Sequence, residues 1–457
     1  MGTDVAERVQ LRRAWKILAV TGLTNLQVSM ALSMIFVVFP DLEQSFPNSS
    51  SATLSWAVNI FTIVGAATLV LGSAVSHRFG AKQSLLAGTA LFTFGSVAAA
   101  VAPGVGVLLA CRVVQGLGTS LTIPSGAAIV FREFPVGRRG TAVATWSAVG
   151  AVGAALGPSL GGLLIEVGSW RWAFWLNLPL GAVAIVAGAL VLPPTPARTD
   201  VRMPDAASSV LLFGGVGALV LALVQTPEWG WGDARTITAL LGGIVLLALV
   251  IRRSVHHPRP LLQLNLFRHR RFGIGNVAML ILSISFFGFL LTSVVFLTNV
   301  WDYSIRRAGL LTTPVFAATA IMSVLAGRVG ERVGYRAVMA AGGVLWATGM
   351  LWMAMGVSAT PEPGTWLGAI VVIGLGSGLL WGSMLSVTIS TLPLEAMSAG
   401  TGLNQTLQNL GNTLGVAIAV TVLGEVTVGD RTGFTGLWIA SAIVTLAAVV
   451  AGSRARG

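Results

Sequence analysis

The sequence predicts an all-α membrane protein of fourteen transmembrane helices: two six-helix pseudo-repeats with two extra helices between them. Three observations predict it. First, of 457 residues 54% are hydrophobic and only 10% are charged, with mean hydropathy +0.83. A soluble domain carries roughly 25% charge, so lipid must be the solvent for most of this chain. Second, the apolar residues fall into fourteen runs of membrane-spanning length. Third, one loop pattern occurs twice, and the basic residues gather on alternate loops.

A spanning helix needs about 20 apolar residues at about 1.5 Å rise each. The runs lie at 15–39, 54–75, 83–101, 105–130, 141–165, 172–192, 206–226, 234–251, 272–300, 307–327, 335–357, 365–391, 397–425 and 433–453. The first follows a basic tail (Arg8, Arg12, Arg13, Lys16) and is too long for the apolar core of a signal peptide, so it reads as a span. The eighth is the shortest. A single cysteine, Cys111, excludes an internal disulfide.

The net charge of +12 invites a nucleic-acid reading, which its distribution opposes. With a cytoplasmic N-terminus and fourteen alternating spans, twenty-two of the 28 Lys/Arg lie on the cytoplasmic side. Arg171, Arg235, Arg306, Arg307 and Arg431 lie outside, and Arg112 lies within a span. This is the positive-inside asymmetry, and it places both termini in the cytoplasm of a multi-pass inner-membrane protein. Trp56, Trp170, Trp172, Trp229, Trp231, Trp301 and Trp366 fall at predicted outer helix ends, where an amphipathic ring suits the headgroup zone.

SAVSHRFGAK (Ser73–Lys82) and GRVGERVGYR (Gly327–Arg336) each close one helix and open the next, 254 residues apart. The repeat divides the chain into an N-terminal half (1–197), two inserted helices with their linkers (198–265) and a C-terminal half (266–457). Internal repeats of this kind suit carriers that rock one half against the other.

The fifth run contains GAVGAALGPSLGG (Gly150–Gly162). Gly and Pro are the poorest helix formers. In lipid, however, Gly153, Gly157 and Gly161 share one face and let a neighbouring backbone approach closely. Pro158 removes a backbone donor, which a neighbouring helix can compensate. Spacing leaves a static and a sliding seam equally open. Of all the charged residues only Arg112 falls well inside a span, at a cost of about 2.5–3.5 kcal/mol on insertion scales. It reads as a cavity charge, with an outward-snorkelling Arg or a structural tie to backbone carbonyls as the alternatives. Gln115 lies one turn on.

LGPSLGG followed by SWRWAFWLNLPLG (Ser169–Gly181), together with LACRVVQGLG (Leu109–Gly118), WAVNIF, EWGW and LLQLNLFRHRRF, resembles the major facilitator superfamily. The similarity is to its fourteen-helix drug:proton antiporter branch and extends over nearly the whole chain. It implies the major facilitator fold, alternating access and proton-driven export of small amphipathic compounds. The loop motifs (Ser73, His77, Arg78 and Gly80; Glu331, Arg332, Gly334 and Arg336) would latch the cytoplasmic side. The Gly153–Gly157–Pro158–Gly161–Gly162 helix would limit leak, and Arg112 would assist proton or substrate handling.

The chain departs from that pattern in three places. The family's helix 1 carries an Asp about ten residues before a closing Pro, where this chain has Met30. Asp41, Glu43, Glu166, Asp302, Glu425 and Asp430 all lie near outer ends, so coupling has no deep carboxylate; Asp41, Glu43 or Glu166 would need an aqueous vestibule. In the first loop motif Ser73 replaces Gly and His77 replaces Asp.

Asn25 and Gln27 in the first span could bond a neutral substrate, with Trp381 and Phe36 as aromatic walls. Asn404, Gln408 and Asn412 share a face of the thirteenth span and either glue helices or line a cavity. His256, His257 and His269 sit in a basic loop without metal-ligand spacing. No ATP-binding loop, nucleophile, metal cluster or catalytic dyad is present, so neither an enzyme nor a cofactor is expected. The expected partners are lipid, a small molecule and protons, with no nucleic acid and a monomeric chain. An uncoupled facilitator and a non-transporting sensor of the same fold remain as alternatives.

Overall fold

The computed structural model describes residues 2–135, 139–195, 203–258, 260–389, 397–423 and 431–454. Among these residues the secondary structure is helical, without strands. The helices are α1 (Gly2–Ser45), α2 (Ser51–Phe79), α3 (Ala81–Ala100), α4 (Val105–Glu133), α5 (Arg139–Val167), α6 (Arg171–Trp175), α7 (Asn177–Val191), α8 (Ala206–Trp229) and α9 (Ala234–His256). They continue as α10 (Arg270–Val295), α11 (Ile305–Val333), α12 (Tyr335–Gly356), α13 (Pro363–Ile389), α14 (Met397–Leu423) and α15 (Thr432–Arg454). Thirteen spans are long and apolar enough to cross a membrane, with α6 and α7 counted together. The 29-residue α11 takes the remaining place, so the fourteen-helix expectation holds.

The sixth run was expected as one helix, but it breaks at Leu176. The cause is local. Pro179 has no N–H to return to Trp175, and it falls in the first turn of α7, a position where proline fits well. The Asn177 side-chain amide instead donates to the carbonyls of Ala173 and Phe174 at 3.3 and 3.4 Å.

The helices form two sets with the same contacts. α1 packs on α5 and α7 as α10 packs on α14 and α15. α2 packs on α4 as α11 packs on α13, and α3 packs on α4 and α7 as α12 packs on α13 and α15. The sets meet through α5 against α11 and α2 against α14, with α1 also touching α10 and α11. The inserted pair, α8 and α9, pack on each other, and α8 lies against both α2 and α14. Asp205 fastens the base of this pair. It caps α8, accepts from Ser208 at 2.6 Å and takes a two-pronged bond from Arg253 of α9 at 2.8 and 3.0 Å. The hydrogen bond from Arg253, then that from Ser208, holds its carboxyl well below the usual carboxylate range against the opposing effect of burial.

Three of the tryptophans assigned to the headgroup zone lie elsewhere. Trp170, Trp301 and Trp366 are buried. Trp366 stacks on Phe296 at 5.7 Å, and Trp301, Phe434 and Trp438 close around the same ring. These rings fill the end of the second helix set, where large aromatic area stabilises packing more than a headgroup contact does. Trp172 and Trp231 are exposed, as the belt reading requires.

Candidate functional site

α5 carries two packing faces one step apart. On the first, Gly153 lies over the Leu26 carbonyl and Gly157 over Met30 and Ser33 of α1. A β-carbon on Gly157 would lie 2.8 Å from the Met30 carbonyl, and one on Gly161 would lie 2.8 Å from the Met34 side chain. Met30 itself is buried in this core. The second face meets the other helix set. The Pro158 carbonyl abuts Gly309 of α11, Ser159 hydrogen-bonds Thr313, and Gly162 backs onto Arg306. One turn further, Arg306 donates to Glu166 at 2.9 Å. The glycine run is thus a seam within one set on one side and a joint between the sets on the other.

A second such seam, not expected from the sequence, lies in the other helix set. Gly411 and Gly415 of α14 lie over the Leu280 and Ile284 carbonyls of α10. These acceptors stand 254 residues after Leu26 and Met30, so α10 presents its backbone as α1 does. The signal was available: GNTLG (Gly411–Gly415) echoes GPSLG (Gly157–Gly161).

Arg112 is fully buried and does not snorkel. Its Nε donates to the Ala57 carbonyl of α2 at 2.6 Å, and one terminal nitrogen donates to Gln115 at 2.8 Å. Gln115 in turn donates to Ser96 at 2.6 Å. The guanidinium lies 4.5 Å over the Phe61 ring, a cation–π contact strengthened by exclusion of water. The other terminal nitrogen is buried without a hydrogen-bond partner, and no described carboxylate lies within 4.0 Å. Arg112 and Gln115 therefore form one polar chain with one terminal guanidinium nitrogen left unpartnered. Asn59, between Ala57 and Phe61, is fully buried with neither amide atom bonded. It was missed as a residue, although an isolated Asn in an apolar run was its signal.

The remaining candidates separate. Asn25 donates to the Trp146 carbonyl of α5 at 3.0 Å, and Gln27 donates to the Asn177 carbonyl at 2.9 Å. Both amides hold α1 to its own set. Asn404 donates to Asn276 of α10 at 3.0 Å and receives Gln408, while the Asn412 carbonyl oxygen is buried and unbonded. Trp381 is half-buried with its ring edge on Phe286 at 6.3 Å. Phe36 of α1 meets Phe287 of α10 at 5.8 Å, an aromatic contact between the sets. Among the carboxylates, Asp41 caps the Trp170 amide at 2.7 Å, Glu43 accepts from Ser51, and Glu166 binds Arg306. Glu425 and Asp430 lie outside the described residues.

In the loop motif Gly80 has φ +99°, and Gly334 in the second copy has φ +87°, conformations that favour glycine. Lys82 donates to the Ala189 and Leu192 carbonyls at the end of α7 at 2.8 and 2.7 Å. Cations suit that helix terminus. Ser73 is half-buried; His77, Arg78, Arg332 and Arg336 are exposed, and the Glu331 side chain lies outside the described residues.

A family model described as Major Facilitator Superfamily matches residues 21–307 and 276–456. This chain belongs to the Major Facilitator Superfamily. It is similar to the tetracenomycin C resistance and export protein of Streptomyces glaucescens, 30% identical over 92% of this chain and 77% of that one. It is similar to the multidrug resistance protein Stp of Mycobacterium tuberculosis, 29% identical over 89% of this chain and 75% of that one. The multidrug export protein EmrB of Escherichia coli is 27% identical over 82% of this chain and 73% of that one. A mutant of the nucleoside transporter NupG shares the fold, with TM-score 0.65, 15% identity and coverage of 96% and 98% of the two chains.

Proposed function

We propose that this chain is a secondary transporter that exports small amphipathic compounds, driven by protons and working by alternating access. It acts as a carrier and not as an enzyme, and its two moving bodies are residues 1–197 and 266–457, with 198–265 inserted. One observation carries the reading. The closest joint between the sets, Pro158–Gly309, Ser159–Thr313, Gly162–Arg306 and Glu166–Arg306, runs from mid-depth of α5 to a single end. A joint made of small residues and one exposed ion pair separates at low cost, because such a pair contributes about 0.2–1 kcal/mol. The relatives named for drug and antibiotic export support the direction and the cargo class.

In this reading Arg112 with its unpartnered terminal nitrogen, Gln115, Asn59, Trp381 and Phe36 face the cargo path, and both termini are cytoplasmic. Met30 leaves the first span without its own acid, so coupling falls to Glu166. Loss of the Glu166–Arg306 pair would free Arg306 and loosen that end of the joint. The test is transport in liposomes under an imposed pH gradient, following ethidium, with and without Arg112→Ala. Gradient-driven flux lost in the variant is the expected result. Flux indifferent to the gradient would turn the reading toward an uncoupled facilitator.

A further inference from the structure

We infer that the basic surface where α9 hands over to α10 is a docking site for anionic phospholipid headgroups. The chain there carries Arg252, Arg268, Arg270 and Arg271. Arg252, Arg268 and Arg270 are exposed, and Arg271 is half-buried. None of the four has a carboxylate within 4.0 Å among the described residues. The nearby acid, Asp205, is already engaged by Arg253. The Nε of Arg271 is buried and bonds nothing. Arg270 and Arg271 also occupy the first turn of α10, the helix end whose dipole disfavours cations. An uncompensated cluster of this kind calls for an anion.

The architecture says where that anion must lie. A 3-10 turn (Leu264–Arg268) packs on both α9 and α10, the helices that carry Arg252 and Arg270–Arg271. Leu266 is buried against Phe272 and Leu403, and the Phe267 ring meets Phe272 at 5.6 Å. The turn is therefore pinned beside the ends of two membrane-length helices, the level at which a bilayer that they span passes into its headgroups. A phosphodiester offers paired acceptor oxygens that match the forked guanidinium. Basic residues beside a membrane anchor draw acidic lipid in this way. A soluble acidic peptide would have to compete at that depth with the bilayer itself. The site rests on the bilayer as solvent and does not depend on what the protein carries.

The test uses the full chain purified in a neutral detergent and offered equal amounts of phosphatidylglycerol and phosphatidylcholine, with bound lipid counted by native mass spectrometry. The wild type should retain phosphatidylglycerol in preference. R268Q/R270Q/R271Q should cut that preference at least about tenfold, while R268K/R270K/R271K preserves most of it. Arg235→Gln, at the far end of the inserted pair, should leave it unchanged. Should the triple glutamine variant fail to accumulate, Arg268→Gln alone, at an exposed position, should lower the ratio measurably. An unaltered preference in the glutamine variants overturns the inference. So does complete displacement of the lipid by excess inorganic phosphate, which would mark a site for the free anion.

Discussion

Arg112 and Trp366 donate to corresponding carbonyls in the two helix sets. Arg112 Nε bonds Ala57 of α2 at 2.6 Å, and Trp366 Nε1 bonds Leu311 of α11, 254 residues after Ala57, at 3.3 Å. Both donors come from the helix that packs on that neighbour, α4 or α13. A neutral indole suffices in one set, so the tie does not need a charge. The guanidinium's charge and its free terminal nitrogen are surplus to the tie, which is the physical ground for giving them a role in transport.

This relationship separates two substitutions. Trp366→Phe keeps an aromatic ring but removes the donor and part of the buried indole, and should lower stability by about 1–3 kcal/mol with flux per folded molecule retained. Arg112→Gln should cost a similar amount and abolish flux. Thermal unfolding beside liposome transport checks both. Equal loss of flux from the two variants would reduce Arg112 to a structural tie.

The α5 seam predicts a steep dependence on one methyl group. Gly157→Ala places a β-carbon against Met30 and Ser33 and should destabilise by about 1–3 kcal/mol through overpacking. Gly415→Ala should do the same against Ile284 in the other set. Gly104→Ala, with nothing within 4 Å, should change little. Unfolding midpoints of the three variants decide the matter.

At the joint between the sets, Glu166→Gln mimics protonation. The pair is exposed on both sides, 43% and 48%, so its loss should move stability by less than about 1 kcal/mol. The joint at Glu166 and Arg306 should nevertheless open more often. A thiol introduced by Thr313→Cys, beside Ser159, should then label faster from that side in the Glu166→Gln background. The native Cys111 is buried and gives little background.

Asp205 sets a pH window. Its folded carboxyl titrates below its unfolded value of about 3.9, so its contribution is full above about pH 4 and is lost as pH falls through the folded value. Asp205→Asn should therefore lower stability near neutrality by about 2 kcal/mol. The gap from wild type should hold down to about pH 4 and narrow only in stronger acid. Unfolding curves across that range would expose a constant gap, which would contradict the assignment.

The helices, their number and the fifth-span packing face were legible because lipid imposes a simple code: length, apolarity and small residues at a four-residue step. Arg112 was legible for the same reason, as an expensive exception. What the sequence could not carry was partnership. Asn25, Gln27 and Asn404 look like binding groups until their acceptors are known, and those acceptors are backbone or side chains of neighbouring helices. Trp170, Trp301 and Trp366 were misplaced because proximity to a helix end does not distinguish a lipid-facing ring from one turned inward. The break at Leu176 was readable from Pro179, but apolar continuity hid it.

The position of α8 makes the molecule's two flanks unequal. On the α2–α14 side a whole helix stands between the joint and the surrounding acyl chains, and Thr421 of α14 donates to its Leu223 carbonyl. On the α5–α11 side the inserted pair provides no such screen. A compound already dissolved in the bilayer would thus find one doorway shuttered and the other bare, and its approach would be lopsided whichever way the halves tilt.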